Sequence, residues 1–285
     1  FKRSLCDKLL RQVIIKIRSK HCFSSVFAFF THFFFLNIAY CFIITHLRKK
    51  IKLFFTVPPL TNSFKYDNIK KAVHFSISTN VGEIVTMFMG LVLGFDTPLL
   101  AIQLLWINFV TDSLPSIALG LEPMEEGIMN KKPKKVNESI FAGGLWGKIV
   151  IEGIMIGTIT LFTFALGNKL YGLRTGRTMA FFALSALELM HSFNIKSEES
   201  IFKTGILNNV YLIGAVVIGL ILQAVVILQP KLAQIFDSVP LTAKQWFCVG
   251  IISFLPIVLV EIQKAINGFK FGKVVYPKKQ AMEKS

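Results

Sequence analysis

The stretch Leu104-Leu-Trp-Ile-Asn-Phe-Val-Thr-Asp-Ser-Leu-Pro115 sets an amide, two hydroxyls and a carboxylate into an otherwise apolar run. Extended on both sides it covers 98–121, enough for a membrane-spanning helix, which takes about 20 mostly apolar residues. Asn108, Thr111 and Asp112 stand at i, i+3 and i+4, so a helix presents them on one face. A carboxylate at mid-membrane costs about 2.5–3.5 kcal/mol on insertion scales, so Asp112 calls for a function or a strong partner. Pro115 has no N–H and its ring crowds the carbonyl four residues back. That points to a helix opened beside Asp112, as in the broken helices that line ion sites of transporters.

The surrounding chain has the same texture. Of its 285 residues 53% are hydrophobic and 17% charged, with a mean hydropathy of +0.59, which excludes an ordinary soluble domain. Seven runs reach spanning length: 23–45, 69–94, 98–121, 143–167, 178–194, 209–229 and 245–264. They are continuously apolar and not alternating, so they predict helices and not a β-barrel. The expected fold is an all-α membrane protein: a six-helix transmembrane bundle plus an extra N-terminal hydrophobic helix. The lipid bilayer is its first partner.

The net charge is +16, and residues 1–65 hold 12 of the 32 Lys/Arg against one acid, Asp7. Beside long apolar runs such cations read as membrane flanks, so no nucleic-acid partner is expected. Cys6, Cys22, Cys41 and Cys248 show no paired metal spacing.

Residues 1–65 carry 12 of the 28 Phe and no Gly, and the first methionine is Met87. Two readings stand side by side. The run 23–45 follows Arg3, Arg11, Lys16, Arg18 and Lys20, as a signal anchor would. Alternatively, the Lys/Phe/Ile-rich text is an AT-rich gene read out of frame, and a processed or truncated product would begin the same way. From Tyr66 the character changes, which divides the chain into 1–65 and a membrane domain over 66–285.

Other polar residues interrupt the later spans. In 69–94, Asn80 and Glu83 lie three apart, with Gly82 between them to admit a neighbouring helix. In 178–194, Glu188 is flanked by leucines, and His191 three residues on is a candidate partner. The bland alternatives are interhelical glue for Asn80 and Glu83, a Pro kink with a satisfied Asp112, and a Glu188–His191 pair. The sharper reading joins Asn80, Glu83, Asn108, Thr111, Asp112 and Glu188 into one cation site. Carboxylate, amide and hydroxyl oxygens suit Ca²⁺, which takes 6–8 of them, and argue against Zn²⁺ or Cu⁺. Mn²⁺ and counter-exchanged protons stay open. Elsewhere Gly153 and Gly157 form a small-xxx-small packing face, Glu152 is expected to pair with Lys148 one turn earlier, and Glu261 to face the interface.

Asn80-Val-Gly-Glu83 and the stretch 104–115 resemble the fifth and sixth membrane helices of calcium-type P-type ATPases. The resemblance continues through Ala118-Leu-Gly-Leu-Glu-Pro123 and the Lys-rich loop 131–135, covering about 66–270. It implies a six-helix C-terminal membrane domain of a calcium pump. It also implies a ligand set: Asn80, Glu83, Thr111, Asp112 and Glu188 for one calcium ion, Asn108 and Asp112 for a second. Both Glu83 and Glu188 are kept, as two-ion chemistry requires. The family's Asp-Lys-Thr-Gly-Thr phosphorylation motif, its Gly-Asp-Gly-x-Asn-Asp hinge and its fourth helix have no counterpart in these residues. The expectation is therefore a fragment, inactive by itself, with ATP and Mg²⁺ handled by a missing N-terminal half. The rival expectation is a non-enzymatic cation-binding helper or split-pump subunit. If 69–94 starts inside, the loop with Lys131, Lys132, Lys134 and Lys135 is cytosolic, as is the tail with Lys270, Lys273, Lys278, Lys279 and Lys284.

Overall fold

The apolar runs fold as helices, and their polar residues decide which helix lies at the centre. In the computed structural model, residues 61–122, 144–197, 200–201, 205 and 208–271 are described. The run 23–45, the Lys-rich loop and the end of the tail lie outside them, and the boundary at 65–66 falls within the first described helix.

Nine helices are described: α1 (Thr61–Val92), α2 (Ala101–Trp106), α3 (Ser113–Gly120), α4 (Leu145–Tyr171), α5 (Leu173–Lys196), α6 (Val210–Leu228), the short α7 (Pro230–Ile235), α8 (Ala243–Ser253) and α9 (Leu255–Phe271). Among the described residues there is no strand, as the all-α expectation requires. Five segments are long and apolar enough to cross a membrane: Asp67–Val92, Ala101–Gly120, Leu145–Tyr171, Val210–Leu228 and Ala243–Ile266. The chain is a multi-pass integral membrane protein.

The expected span 178–194 differs. It forms α5, but that helix falls outside the five, because Ser185, Glu188, His191, Ser192 and Asn194 lower its hydropathy. Its position explains this. α5 packs against α1, α3, α4, α6, α8 and α9, and 19 of its 24 residues are buried. A helix wrapped by protein need not be compatible with lipid on any face. The outer helices show the complement: Phe109, Val210 and Phe247 are about 70% exposed, as lipid-facing side chains must be.

Two spans are interrupted. The segment 98–121 contains one wide turn between α2 and α3, and 245–264 breaks at Phe254, just before Pro256, into α8 and α9. The seam between α1 and α4 is closed by small residues. A Cβ on Gly153 would come 2.5 Å from Val81, and one on Gly157 would come 2.6 Å from the Gly82 carbonyl. The backbones approach to a distance only glycine permits, which is the packing role expected of these residues.

Candidate cation-binding site

The wide turn, Ile107–Thr111, is π-helical and closes with the Asp112 amide donating to the Ile107 carbonyl at 2.9 Å. Pro115 supplies the cause: with no N–H at 115, the carbonyl of Thr111 loses its helical partner, and the ladder loosens one turn earlier. The turn delivers Asn108 and Asp112 towards α1. The opened helix was legible from Pro115; its π register was not.

Asn108 donates through Nδ2 to Glu83 Oε1 at 2.5 Å and to the Leu104 carbonyl at 3.0 Å. Two acceptors on one amide nitrogen fix its orientation, so Oδ1 faces the other way. Asp112 Oδ2 accepts from the Thr79 hydroxyl at 2.8 Å. Asn80 turns its amide to the Ser76 carbonyl of its own helix, and Thr111 donates to the Ile107 carbonyl at 2.8 Å. Glu83, Glu188 and Thr111 are fully buried, Asn80 and Asp112 nearly so, and Asn108 half-buried.

The structure thus brings Glu83, Asn108 and Asp112 together across α1 and the α2–α3 segment. Glu188 enters from α5, close enough for its charge and those of Asp112 and Glu83 to act on one another. It leaves acceptors over. Glu83 Oε2, Asp112 Oδ1, Asn80 Oδ1 and both Glu188 oxygens are buried without a hydrogen-bond partner among the described residues. Buried polar atoms are nearly always paired, and carboxylate oxygens are the costliest to leave. Here the surplus is all oxygen acceptors in one region. Among the described residues no three His, Cys, Asp or Glu side chains already stand at mutual metal-ligand spacing. A cation here would draw on amide and hydroxyl oxygens as well as on carboxylates.

Thr79 escaped the sequence reading, since a threonine beside an asparagine in an apolar helix carries no distinctive signal. Two further hydroxyls near the site are buried without partners among the described residues: Ser116, one turn beyond Asp112, and Ser185, one turn before Glu188. Three expectations need correction. His191 partners Glu152 and Asn194 and not Glu188, because its ring lies on the α4 side of α5. Glu152 meets His74 and His191 across helices in place of Lys148. Glu261 does not simply face the interface: it accepts from Ser200 at 2.5 Å and from the Ile201 amide at 3.1 Å.

Comparison with known proteins bears on the same region. Residues 96–266 match the family model described as "Cation transporting ATPase, C-terminus". The chain is 39% identical over 217 residues to calcium-transporting ATPase 1 of Bacillus cereus, covering 70% of this chain and 24% of that protein. It is 38% identical over 197 residues to a calcium-transporting ATPase of Bacillus subtilis, covering 68% of this chain and 22% of the relative. A third relative, calcium-transporting ATPase 1 of Lactococcus lactis, is 37% identical over 206 residues, covering 71% of this chain and 23% of its own length. The chain therefore spans about a quarter of these relatives. It belongs to the cation-transporting ATPase family and corresponds to the C-terminal membrane domain.

Proposed function

As a member of that family, we propose, the chain supplies the ion-binding membrane domain of a calcium-transporting P-type ATPase, with Ca²⁺ as the transported ion. The observation that carries this is the set of buried acceptor oxygens on Glu83, Asp112 and Glu188 without donors among the described residues, in a bundle whose helices include five of membrane-spanning length. The names of the relatives point to the same ion.

The residues divide the work. Asp112, on the widened turn, is the central carboxylate. Glu83 and Glu188 flank it from α1 and α5, and Asn80, Asn108 and Thr111 contribute neutral oxygens. Thr79 positions Asp112. A cation entering the cluster takes the place of the Asn108 and Thr79 donors, and those side chains turn their oxygens inward. Calcium's tolerance of irregular coordination suits such a rearrangement. Phosphoryl transfer from ATP, and the Mg²⁺ it needs, belong to motifs that these 285 residues do not contain, so the fragment binds ions without hydrolysing nucleotide. In a bacterial cell its membrane would be the plasma membrane.

The test is equilibrium binding of radioactive Ca²⁺ to the chain in lipid nanodiscs, with Glu83→Gln beside it. Saturable binding that resists excess Mg²⁺ and collapses in the variant is expected. No saturable binding by the folded wild type, or equal binding by the variant, overturns the assignment.

A further inference from the structure

Hydroxyls within these helices mostly bond to their own helix. Thr86, Thr111, Thr160, Thr163, Thr178 and Ser253 donate to the carbonyl four residues back at 2.8–2.9 Å. Ser78 and Ser192 donate to the carbonyl three back. Ser185 on α5 does neither. It is fully buried, and its hydroxyl has no hydrogen-bond partner among the described residues. A buried hydroxyl left unpaired costs stability, and the helix ordinarily offers it a way out.

The cause lies on α6. The carbonyl four back from Ser185 is that of Phe181, and a carbonyl has two lone pairs. The helical amide of α5 takes one, and Gln223 Nε2 donates to the same oxygen at 3.2 Å. Gln223 is itself fully buried, and its orientation is fixed. Its Oε1 accepts from Trp106 Nε1 at 3.0 Å, and an indole N–H can only donate. Trp106 is the last residue of α2, immediately before the widened turn that carries Asn108. Trp106 and Gln223 together take up the carbonyl that Ser185 would otherwise use.

The freed hydroxyl stands beside the ion site. Ser185 lies three residues before Glu188 on the same face of α5, about 5–6 Å away between Cβ atoms, and α5 touches the widened turn. Both Glu188 oxygens are also without partners among the described residues. The hydroxyl and the carboxylate do not bond each other, so both are left to a third group that accepts oxygen lone pairs.

We infer that Ser185 Oγ is a further ligand of the ion bound beside Glu188, and that Gln223 is the positioning residue that keeps it available. This rests on the calcium reading of the ion site. A hydroxyl adds an oxygen without adding charge, and it keeps its proton when it binds. Ca²⁺ takes 6–8 oxygens in flexible geometry, whereas Mg²⁺ demands a near-ideal octahedron. An added neutral oxygen therefore favours the larger ion, and Ser185 serves selectivity as well as affinity.

The experiment measures equilibrium binding of radioactive Ca²⁺ in nanodiscs, with Mg²⁺ as competitor, for wild type, Ser185→Ala, Gln223→Met and the double variant. Thermal unfolding of each ion-free chain is recorded beside it. Ser185→Ala should bind Ca²⁺ roughly tenfold more weakly, and Mg²⁺ should compete better. Without ion it should unfold at the wild-type temperature or above, since it loses only an unpaired hydroxyl. Gln223→Met returns the Phe181 carbonyl to Ser185 and should lose similar affinity, and the double variant should lose no more than either single one. Gln223→Met is made with and without Trp106→Phe, which removes the indole N–H left without an acceptor, so a folding defect in one leaves the other to decide. Wild-type affinity and Mg²⁺ competition in Ser185→Ala overturn the ligand role and spare the calcium reading. A weaker affinity joined to a lower unfolding temperature makes Ser185 structural and overturns it as well. Losses that add in the double variant overturn the part given to Gln223. No saturable binding in any chain overturns both this inference and the calcium reading.

Discussion

Two buried polar clusters in this bundle are built from similar residues and end differently. At one end of the bundle, Asn68 donates to the Glu122 carbonyl at 2.9 Å, Asn209 donates to the Glu122 carboxylate and to the Ala118 carbonyl at 3.2 Å, and Lys196 stands 3.8 Å from Glu122. None of these side chains has a buried polar atom without a partner. In the proposed ion site, Glu83, Asp112 and Glu188 keep oxygens that nothing among the described residues satisfies. The first cluster is a clasp joining α1, the end of α3, α5 and the start of α6; its hydrogen bonds are complete because its task is finished on folding. The second is left open at the cost of stability, as the proposed exchange of ligands there requires.

The comparison breaks most visibly at Asp112. Asp112→Asn removes the central charge while preserving shape, and should weaken Ca²⁺ binding by more than about 100-fold, near 3 kcal/mol, with helicity unchanged by circular dichroism. Asn209→Ala should do the reverse. It removes the Asn209 donations to the buried Glu122 carboxylate and the Ala118 carbonyl and costs about 1–3 kcal/mol in thermal unfolding, with Ca²⁺ affinity preserved. If affinity falls as far as stability, the two clusters are one unit and the distinction fails.

Smaller effects sharpen the picture. Gly157→Ala inserts a methyl 2.6 Å from the Gly82 carbonyl and 2.7 Å from Val85, and overpacking of this kind costs about 1–3 kcal/mol. Gly214→Ala meets nothing within 4 Å and should unfold at the wild-type temperature or above. A matching loss in both would deny the α1–α4 seam its role. Thr79→Val removes the donor to Asp112 and should change Ca²⁺ affinity several-fold, about 1 kcal/mol, with Thr79→Ser restoring it. No change would leave Thr79 a packing residue.

Much of this was legible in the sequence. Apolar length gave the helices, and carboxylates inside them gave Glu83, Asp112 and Glu188, because a charge in the membrane interior is costly enough to be informative by itself. Pro115 announced the opened helix. What escaped were choices made by tertiary packing. His191 lies three residues from Glu188 and invited that pairing, yet its ring is taken by Glu152 from α4, which local spacing cannot reveal. Glu152 likewise reads as a partner for Lys148 until His74 is brought to it from 78 residues away. Thr79 and the clasp residue Asn209 are single polar residues whose meaning lies wholly in the neighbour they meet. The central position of α5 was disguised because burial by protein and burial by lipid demand different hydropathies.

The central claim is that the open cluster and not the closed one binds the ion. Equilibrium binding of radioactive Ca²⁺ to wild type, Asp112→Asn and Asn209→Ala in the same nanodiscs tests it directly. Saturable binding in wild type and Asn209→Ala, lost in Asp112→Asn, is the expected result; undiminished binding in folded Asp112→Asn would contradict it.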